Sequence, residues 1–210
     1  MTARIGTINR AFGPRMTGPG GLYNLGNAMG LLGGITLHIA ATPQIGGGPG
    51  HGLEAALDYL AGSFGAAAIT LSMLVFFWSG ERYHRAWKDG APPDPVQNRA
   101  GDISSGIGAL LLGFGLFLMD QPLLAATAGL LHAAGKFGSA LPAAWQRLMP
   151  HGAPAFRVTV LLSRLPAILL VLFEAQAAIA GLPAQPLAAS AVLLLCYLIW
   201  LRADLMLMRS

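Results

Sequence analysis

The sequence predicts an all-α, polytopic helical membrane bundle with about six transmembrane helices and both termini in the cytoplasm. Three observations lead to this fold class. Of the 210 residues, 54% are hydrophobic and only 10% are charged, whereas a soluble domain carries about 25% charged residues. Apolar stretches of about 20 residues, the length that spans a bilayer, recur along the chain. The 13 lysines and arginines lie on one side of these stretches, as expected for cytoplasmic loops.

The chain divides into a short basic segment and one membrane domain. Residues 1–20 contain Arg4, Arg10 and Arg15 and form the predicted cytoplasmic N-terminal segment. Residues 21–210 form the predicted single six-helix transmembrane domain. Its predicted spans are at about 21–41, 55–78, 102–119, 122–141, 157–181 and 186–205. A cleaved signal peptide is the alternative for the first span, but that stretch is long and Ile39-Ala40-Ala41 is a poor cleavage site.

Turn-forming residues separate the predicted spans. The glycine- and proline-rich stretch 42–52 and the prolines within 88–98 break any helix. The connection Asp120-Gln121-Pro122 is so short that the third and fourth spans are expected to form an antiparallel hairpin. The second span is predicted to continue past the bilayer into 79–87, where Tyr83 and its neighbouring tryptophans suit the headgroup zone.

The basic residues determine the orientation of the predicted bundle. They lie before the first span, between the second and third, between the fourth and fifth, and after the sixth, and Lys136 and Arg164 lie within spans toward the same side. Loops rich in lysine and arginine remain in the cytoplasm. We therefore expect a multi-pass protein of a bacterial-type inner (plasma) membrane with its N- and C-termini inside.

Small residues mark the predicted helix contacts. Membrane helices associate through close backbone approach, so glycines indicate interfaces. Gly26, Gly30 and Gly34 recur every four residues in the first span, and Gly108 lies in the third. We interpret these glycines as packing surfaces within the bundle. A surface that receives another subunit is the alternative.

An acidic residue anchors a candidate polar site on the periplasmic side. A charged side chain at the centre of a bilayer costs at least about 2.5–3.5 kcal/mol and is by default a functional-site hypothesis. Glu174 is too short to reach the headgroups, and it lies about 15 Å along its helix from Arg164, a gap that a bend at Pro166 does not close. We therefore expect Glu174→Gln to alter function more than Arg164→Lys. The intramembrane polar site candidates are Glu174, His38, His132, Asp58 and Gln176.

Four charged residues form a second candidate group, on the cytoplasmic side. They are Arg164, Lys136, Asp102 and Asp204. The long side chains of Arg164 and Lys136 can extend toward the headgroups. Asp102 begins the third span and Asp204 ends the sixth, so both are candidate ion-pair partners. We interpret this group as structural.

The residue patterns indicate no cofactor and assign no catalytic residue. The chain contains no phosphate loop, serine elbow, zincin motif or dinucleotide fingerprint. Its single cysteine, Cys196, cannot form an internal disulfide. A metal ion or a proton relay that uses His38 and His132 is an alternative. A haem bound by both histidines is less favoured, because they differ in depth by about 12 Å.

The sequence is compatible with two classes of function. In the first, the protein binds or moves a small solute, an ion or a proton through the periplasm-facing polar site. In the second, it is a structural or assembly subunit that uses a glycine surface or the polar stretch 80–87. An enzyme is the least favoured class. The predicted partners are the lipid bilayer and a membrane protein or a second copy; the basic residues are too few to indicate nucleic acid.

Overall fold

The described part of the chain is built from helices and contains no strand. The computed structural model describes residues 18–41, 49–88, 92–119, 123–146, 148, 152–182 and 185–208. Its helices are α1 (Pro19–Ala41), α2 (Pro49–Ala61), α3 (Phe64–Ala86), α4 (Pro95–Leu118), α5 (Leu123–Ala140), α6 (Ala143–Gln146), α7 (Gly152–Leu162), α8 (Arg164–Ile179) and α9 (Leu187–Met208). The all-α prediction is confirmed for these residues.

Among the residues that the structure describes, four helical stretches are long and apolar enough to cross a membrane. They are Phe64–Ala86, Pro95–Leu118, Pro154–Ile179 and Leu187–Met208, of which the third combines α7 with α8. Large apolar side chains such as Leu74, Phe117 and Phe173 are more than 60% exposed, whereas Lys136 and Asp204 are buried. Lipid tails are as apolar as leucine, so such a surface suits a bilayer. The helices and this surface are compatible with a membrane protein.

The long helices close into a ring. α1 packs against α3, α3 against α4, α4 against α5, and α5 against both α7 and α8. α8 then packs against α9, which returns to α1, while α2 contacts α1 and α3. Tyr23 near the start of α1 meets Asp204 near the end of α9, and Tyr83 near the end of α3 meets Asp102 early in α4. We call this end of the bundle, where those four residues lie, the charged end.

The predicted continuous span over 55–78 is two helices in the structure. Ser63 adopts an extended conformation between α2 and α3, and its hydroxyl accepts a hydrogen bond from the Ala66 amide at 3.1 Å. A serine at this position caps the first turn of a helix. The residues on both sides of the break are apolar, so the hydropathy pattern conceals it.

α4 begins earlier than the predicted third span, which starts at residue 102. The Asp94 carboxylate accepts hydrogen bonds from the amides of Val96 at 2.8 Å and Gln97 at 3.1 Å. Pro95 occupies the first helical position, where its missing N–H carries no penalty. The helix break that the prolines of 88–98 predict therefore ends at Asp94, and Pro95 already belongs to α4.

The predicted fifth span is interrupted between α7 and α8. Pro166 has no amide proton, so the Leu162 carbonyl lacks its usual helical donor. Ser163 separates the two helices, and its hydroxyl donates to the Val160 carbonyl at 2.6 Å. Ser163 and Arg164 are both buried at this break. The interruption therefore brings two polar side chains to the inside of the ring.

The glycines named by the sequence make contacts inside the chain. A Cβ at Gly26 would collide with the Trp200 indole, and one at Gly30 would lie 3.1 Å from Cys196 Sγ. These two positions allow α1 to approach α9 closely. Gly108 allows the same approach of α4 to the Phe76 ring of α3. Gly34 is partly exposed on α1.

Candidate functional site

Six side chains from six helices of the ring meet at the charged end. We call them the charged cluster: Tyr23 of α1, Tyr83 of α3, Asp102 of α4, Lys136 of α5, Arg164 of α8 and Asp204 of α9. Each is at most 7% exposed. Two carboxylates face one ammonium and one guanidinium, so the charged cluster has no net charge. A buried group of charges is tolerable only when it is paired in this way.

Lys136 lies at the centre of the charged cluster. Its Nζ donates to the Tyr23 hydroxyl at 3.1 Å, the Tyr83 hydroxyl at 2.9 Å and Asp102 Oδ1 at 3.3 Å. It also lies 3.8 Å from Asp204 Oδ1. The three hydrogen bonds use all three ammonium protons. The two tyrosine rings stack on each other with their centroids 5.0 Å apart.

Each carboxylate of the charged cluster links a tyrosine to a cation. The Tyr83 hydroxyl donates to Asp102 Oδ1 at 2.5 Å, and the Tyr23 hydroxyl donates to Asp204 Oδ1. Arg164 Nε donates to Asp204 Oδ2 at 2.9 Å. The Arg164 guanidinium also lies 4.8 Å from the centre of a Trp200 ring, a favourable cation–π position. Arg164 therefore points into the bundle and not toward the headgroups.

The four charged residues named by the sequence on the cytoplasmic side thus meet in one place. Sequence reasoning missed the two tyrosines that complete the charged cluster. Tyr83 follows Trp78 and Arg82, and this neighbourhood suggests the headgroup zone. Tyr83 is nevertheless fully buried. One signal in the sequence could have indicated this contact. Tyr83 lies near the end of its helix and Asp102 near the start of the next, so the two residues are at similar depth in the bundle.

His132 lies between two serines, in a hydrogen-bonded group of its own. Its Nε2 is 3.3 Å from Ser105 Oγ, and its Nδ1 is 3.2 Å from Ser163 Oγ. Ser163 uses its own proton on the Val160 carbonyl, so it accepts from Nδ1–H. In a neutral imidazole Nε2 then accepts from the Ser105 hydroxyl. Both ring nitrogens therefore have protein partners.

Glu174 lies in a different environment from His132. Its Oε2 accepts a hydrogen bond from the Gln185 amide at 3.2 Å, and the side chain is partly exposed. Gln176 is exposed on α8. The described contacts do not join Glu174 to His132. The side chains of His38 and Asp58 lie outside the described residues, so their part in a polar site stays a prediction.

Two cavities adjoin the charged cluster. The larger one, which we call the vestibule, has a volume of about 90 Å³ and opens at the charged end; its polar lining is Asn98, Asp102, Lys136, Ser139, Arg157 and Asp204. The smaller one, which we call the inner cavity, has a volume of about 30 Å³ and is lined in part by His132, Ser163, Arg164 and Trp200. The Arg164–Asp204 ion pair has one member in each lining and therefore lies between the two cavities.

Comparison with protein-family models, with curated proteins and with solved structures finds no match to this chain. The function is therefore inferred from the charged cluster and the two cavities.

The residues of this site suit proton exchange better than metal binding. Among the described residues, no group of three or more histidine, cysteine or carboxylate side chains is placed to hold a metal ion. The ring nitrogens of His132 are also engaged by serines. By contrast, the carboxylates, tyrosine hydroxyls and lysine of the charged cluster form a continuous hydrogen-bonded group. Such a group can exchange a proton or rearrange around an ion.

Proposed function

We propose that the chain is a single-domain, six-span integral membrane protein of a bacterial-type plasma membrane, with both termini on the cytoplasmic face. Four stretches meet the length and hydropathy of a span. α1 and α5 complete the ring, and their 23 and 18 residues give lengths of about 35 and 27 Å. Both lengths are close to the hydrocarbon thickness of about 30 Å. Arg82, Arg157 and Arg202 lie toward the charged end, which supports its assignment to the cytoplasm.

We further propose that the protein moves a proton or a small ion through the centre of this ring. One observation carries the proposal: a charge-neutral cluster is buried beside two cavities, and the Arg164–Asp204 ion pair has one member in the lining of each. Ionisable residues that face cavities inside a membrane mark ion and proton pathways. The break between α7 and α8 supports the same function, because transporters often bind their substrates at interrupted helices.

In this proposal the Arg164–Asp204 ion pair acts as the barrier. A proton transferred to Asp204, or an ion that approaches it from the vestibule, would weaken its attraction for Arg164. Movement of the Arg164 side chain would then connect the vestibule with the inner cavity. Tyr23 and Lys136 remain bonded near Asp204 and limit how far its carboxylate moves.

A structural role for the charged cluster is the competing function. It is favoured by the zero net charge and by the use of all three Lys136 protons inside the protein. In that case the ion pairs would only fix the register and rotation of the helices. Such a protein would serve as a non-transporting subunit. The two functions differ in one measurable respect, which is flux across a membrane.

Purified protein in proteoliposomes tests this proposal. The vesicles enclose a pH-sensitive dye, and charge movement is recorded in parallel on a solid-supported membrane after jumps in proton, sodium, potassium, chloride or acetate concentration. We expect the wild type to carry flux well above that of protein-free vesicles. We expect Asp204→Asn to raise the passive flux by about tenfold or more, because the neutral amide no longer holds Arg164 and the ion pair that forms the barrier is lost.

Glu81→Gln is the matched control for this experiment. Glu81 pairs with Arg85 at 3.0 Å near the same end of the bundle, but the two side chains are 45% and 54% exposed. This variant should behave like the wild type. Folded wild-type protein that carries no more flux than empty vesicles in any of the jumps would exclude transport and leave the structural role.

A further inference from the structure

Arg157 of α7 brings an uncompensated positive charge to the vestibule. The other charged residues of the vestibule lining belong to the charged cluster, which is neutral when Arg164 is included. Arg157 is partly buried, and no carboxylate lies within ion-pair distance of it among the described residues. The four charges of the described lining sum to zero, but Asp102 is paired with Lys136 and Asp204 with Arg164. Arg157 is therefore the charged group of this lining that is left to attract an anionic occupant.

The uncharged lining of the vestibule combines two polar residues with three apolar ones: Asn98, Ser139, Val160, Leu207 and Met208. The Oδ1 atom of Asn98 is buried without a hydrogen-bond donor among the described residues. The hydroxyl of monohydrogen phosphate, or a water molecule that accompanies a carboxylate, would supply that donor. A volume of about 90 Å³ admits several waters or an anion of a few heavy atoms. It is too small for a large organic substrate.

We propose that the vestibule binds a small soluble oxyanion, such as a monocarboxylate or inorganic phosphate, with Arg157 as its principal contact. This inference rests on the proposed function, because it names the class of solute that reaches the transport pathway. A planar guanidinium matches the oxygens of a carboxylate or phosphate with two parallel hydrogen bonds. A cation has no comparable site, because Asp102 and Asp204 are already neutralised by Lys136 and Arg164.

The bound oxyanion would lie next to the charged cluster. Lys136, Asp102 and Asp204 form the inner part of the vestibule lining. The negative charge of an anion held by Arg157 therefore also attracts the Lys136 ammonium. The anion competes in this way with Asp102 and Asp204 for Lys136. Binding at Arg157 is thereby coupled to the ion pairs of the charged cluster.

Calorimetric titration of the purified protein in neutral detergent tests the inference. Sodium acetate and sodium phosphate are titrated at constant ionic strength against sodium chloride. We expect saturable binding to the wild type and a loss of affinity of about tenfold or more in Arg157→Gln, since the charged contact is removed. Arg157→Lys should retain part of the affinity. Arg202→Gln, which removes an exposed arginine of α9 near the same end, should bind as the wild type does.

Three results would overturn the inference. They are the absence of saturable binding of both anions, equal affinities of the wild type and Arg157→Gln, and binding only to phosphatidylglycerol in vesicles, which would mean a lipid contact. The experiment is independent of transport. Arg157-dependent binding without flux leaves the vestibule assignment intact and excludes the proposed function, whereas flux without anion binding does the reverse.

Discussion

Arg164 and Glu174 share one helix but have very different partners. Arg164 is buried, donates to Asp204 and lies over Trp200. Glu174 is partly exposed and accepts one hydrogen bond from a backbone amide. The sequence suggests that Glu174 is the more sensitive position, because an arginine can reach the headgroups and a glutamate cannot. The contacts in the structure favour the opposite order.

We accordingly predict that Arg164→Lys has the larger effect of the two substitutions. A lysine loses the planar fork that bonds Asp204 and stacks on Trp200. A hydrogen bond to a charged group is worth about 1.5–3 kcal/mol, and this is the expected loss in the free energy of unfolding. Glu174→Gln keeps an oxygen that accepts from Gln185 and should cost less than about 1 kcal/mol. Both values are measured by chemical unfolding in detergent, with flux recorded alongside.

The outcome also bears on the sequence-based hypothesis. If Glu174→Gln reduces flux more than Arg164→Lys while both variants remain folded, the polar site around Glu174 regains priority. The path would then involve the end of α8 that lies away from the charged cluster.

At the scale of helices, α4 and α5 pack with their backbones almost in contact. A Cβ at Gly129 of α5 would lie 3.0 Å from the Ala109 carbonyl oxygen and 3.1 Å from the Gly113 Cα of α4. Both of those neighbours are backbone atoms, so no side-chain rotation can make room. This pair of helices contributes Asp102 and Lys136, and its spacing therefore controls their ion pair.

We predict that Gly129→Ala pushes α4 and α5 apart. Overpacking of this kind costs about 1–3 kcal/mol in the free energy of unfolding. Gly52→Ala is the matched control, because nothing lies within 4 Å of its added Cβ. That substitution should be neutral or stabilising by up to about 1 kcal/mol, as alanine favours helix. Equal thermal stability of both variants would show that α4 and α5 tolerate a wider spacing.

The sequence predicts the helices better than it predicts their breaks and their rotation. Hydropathy identifies the apolar stretches that form α1, α4, α5 and α9, and the rise per residue gives the depth of each charge. The break at Ser63 depends on one capping hydrogen bond between two apolar segments. The rotation of each helix about its own axis depends on packing. For this reason the sequence predicts that Lys136 and Asp102 lie at similar depth, but it does not predict that both contact Tyr83.

At the scale of the whole molecule, the ring closes where α9 meets α1. Cys196 of α9 lies at this contact, beside Gly30, and is 1% exposed. A buried thiol does not react, because the attacking species is a solvated thiolate. The single cysteine therefore reports directly on the closure of the ring.

We predict that Cys196 resists N-ethylmaleimide in the folded protein and reacts once the protein is unfolded in detergent and urea. Modification is followed as a mass shift over time. A Cys196→Ser protein with Val96→Cys provides the control, because Val96 is 71% exposed at the start of α4 and its replacement should react without unfolding. Rapid labelling of Cys196 in the native protein would mean that α1 and α9 separate readily.

The closing contact also sets an order of assembly during synthesis. A chain made as far as residue 182 already contains Lys136 and Arg164 but only one carboxylate of the charged cluster, Asp102. Asp204 arrives only when α9 has been made. Until then only one of the two cations of the charged cluster can have a carboxylate partner within it. Insertion of α9 supplies the missing charge and the last wall of the ring in a single step.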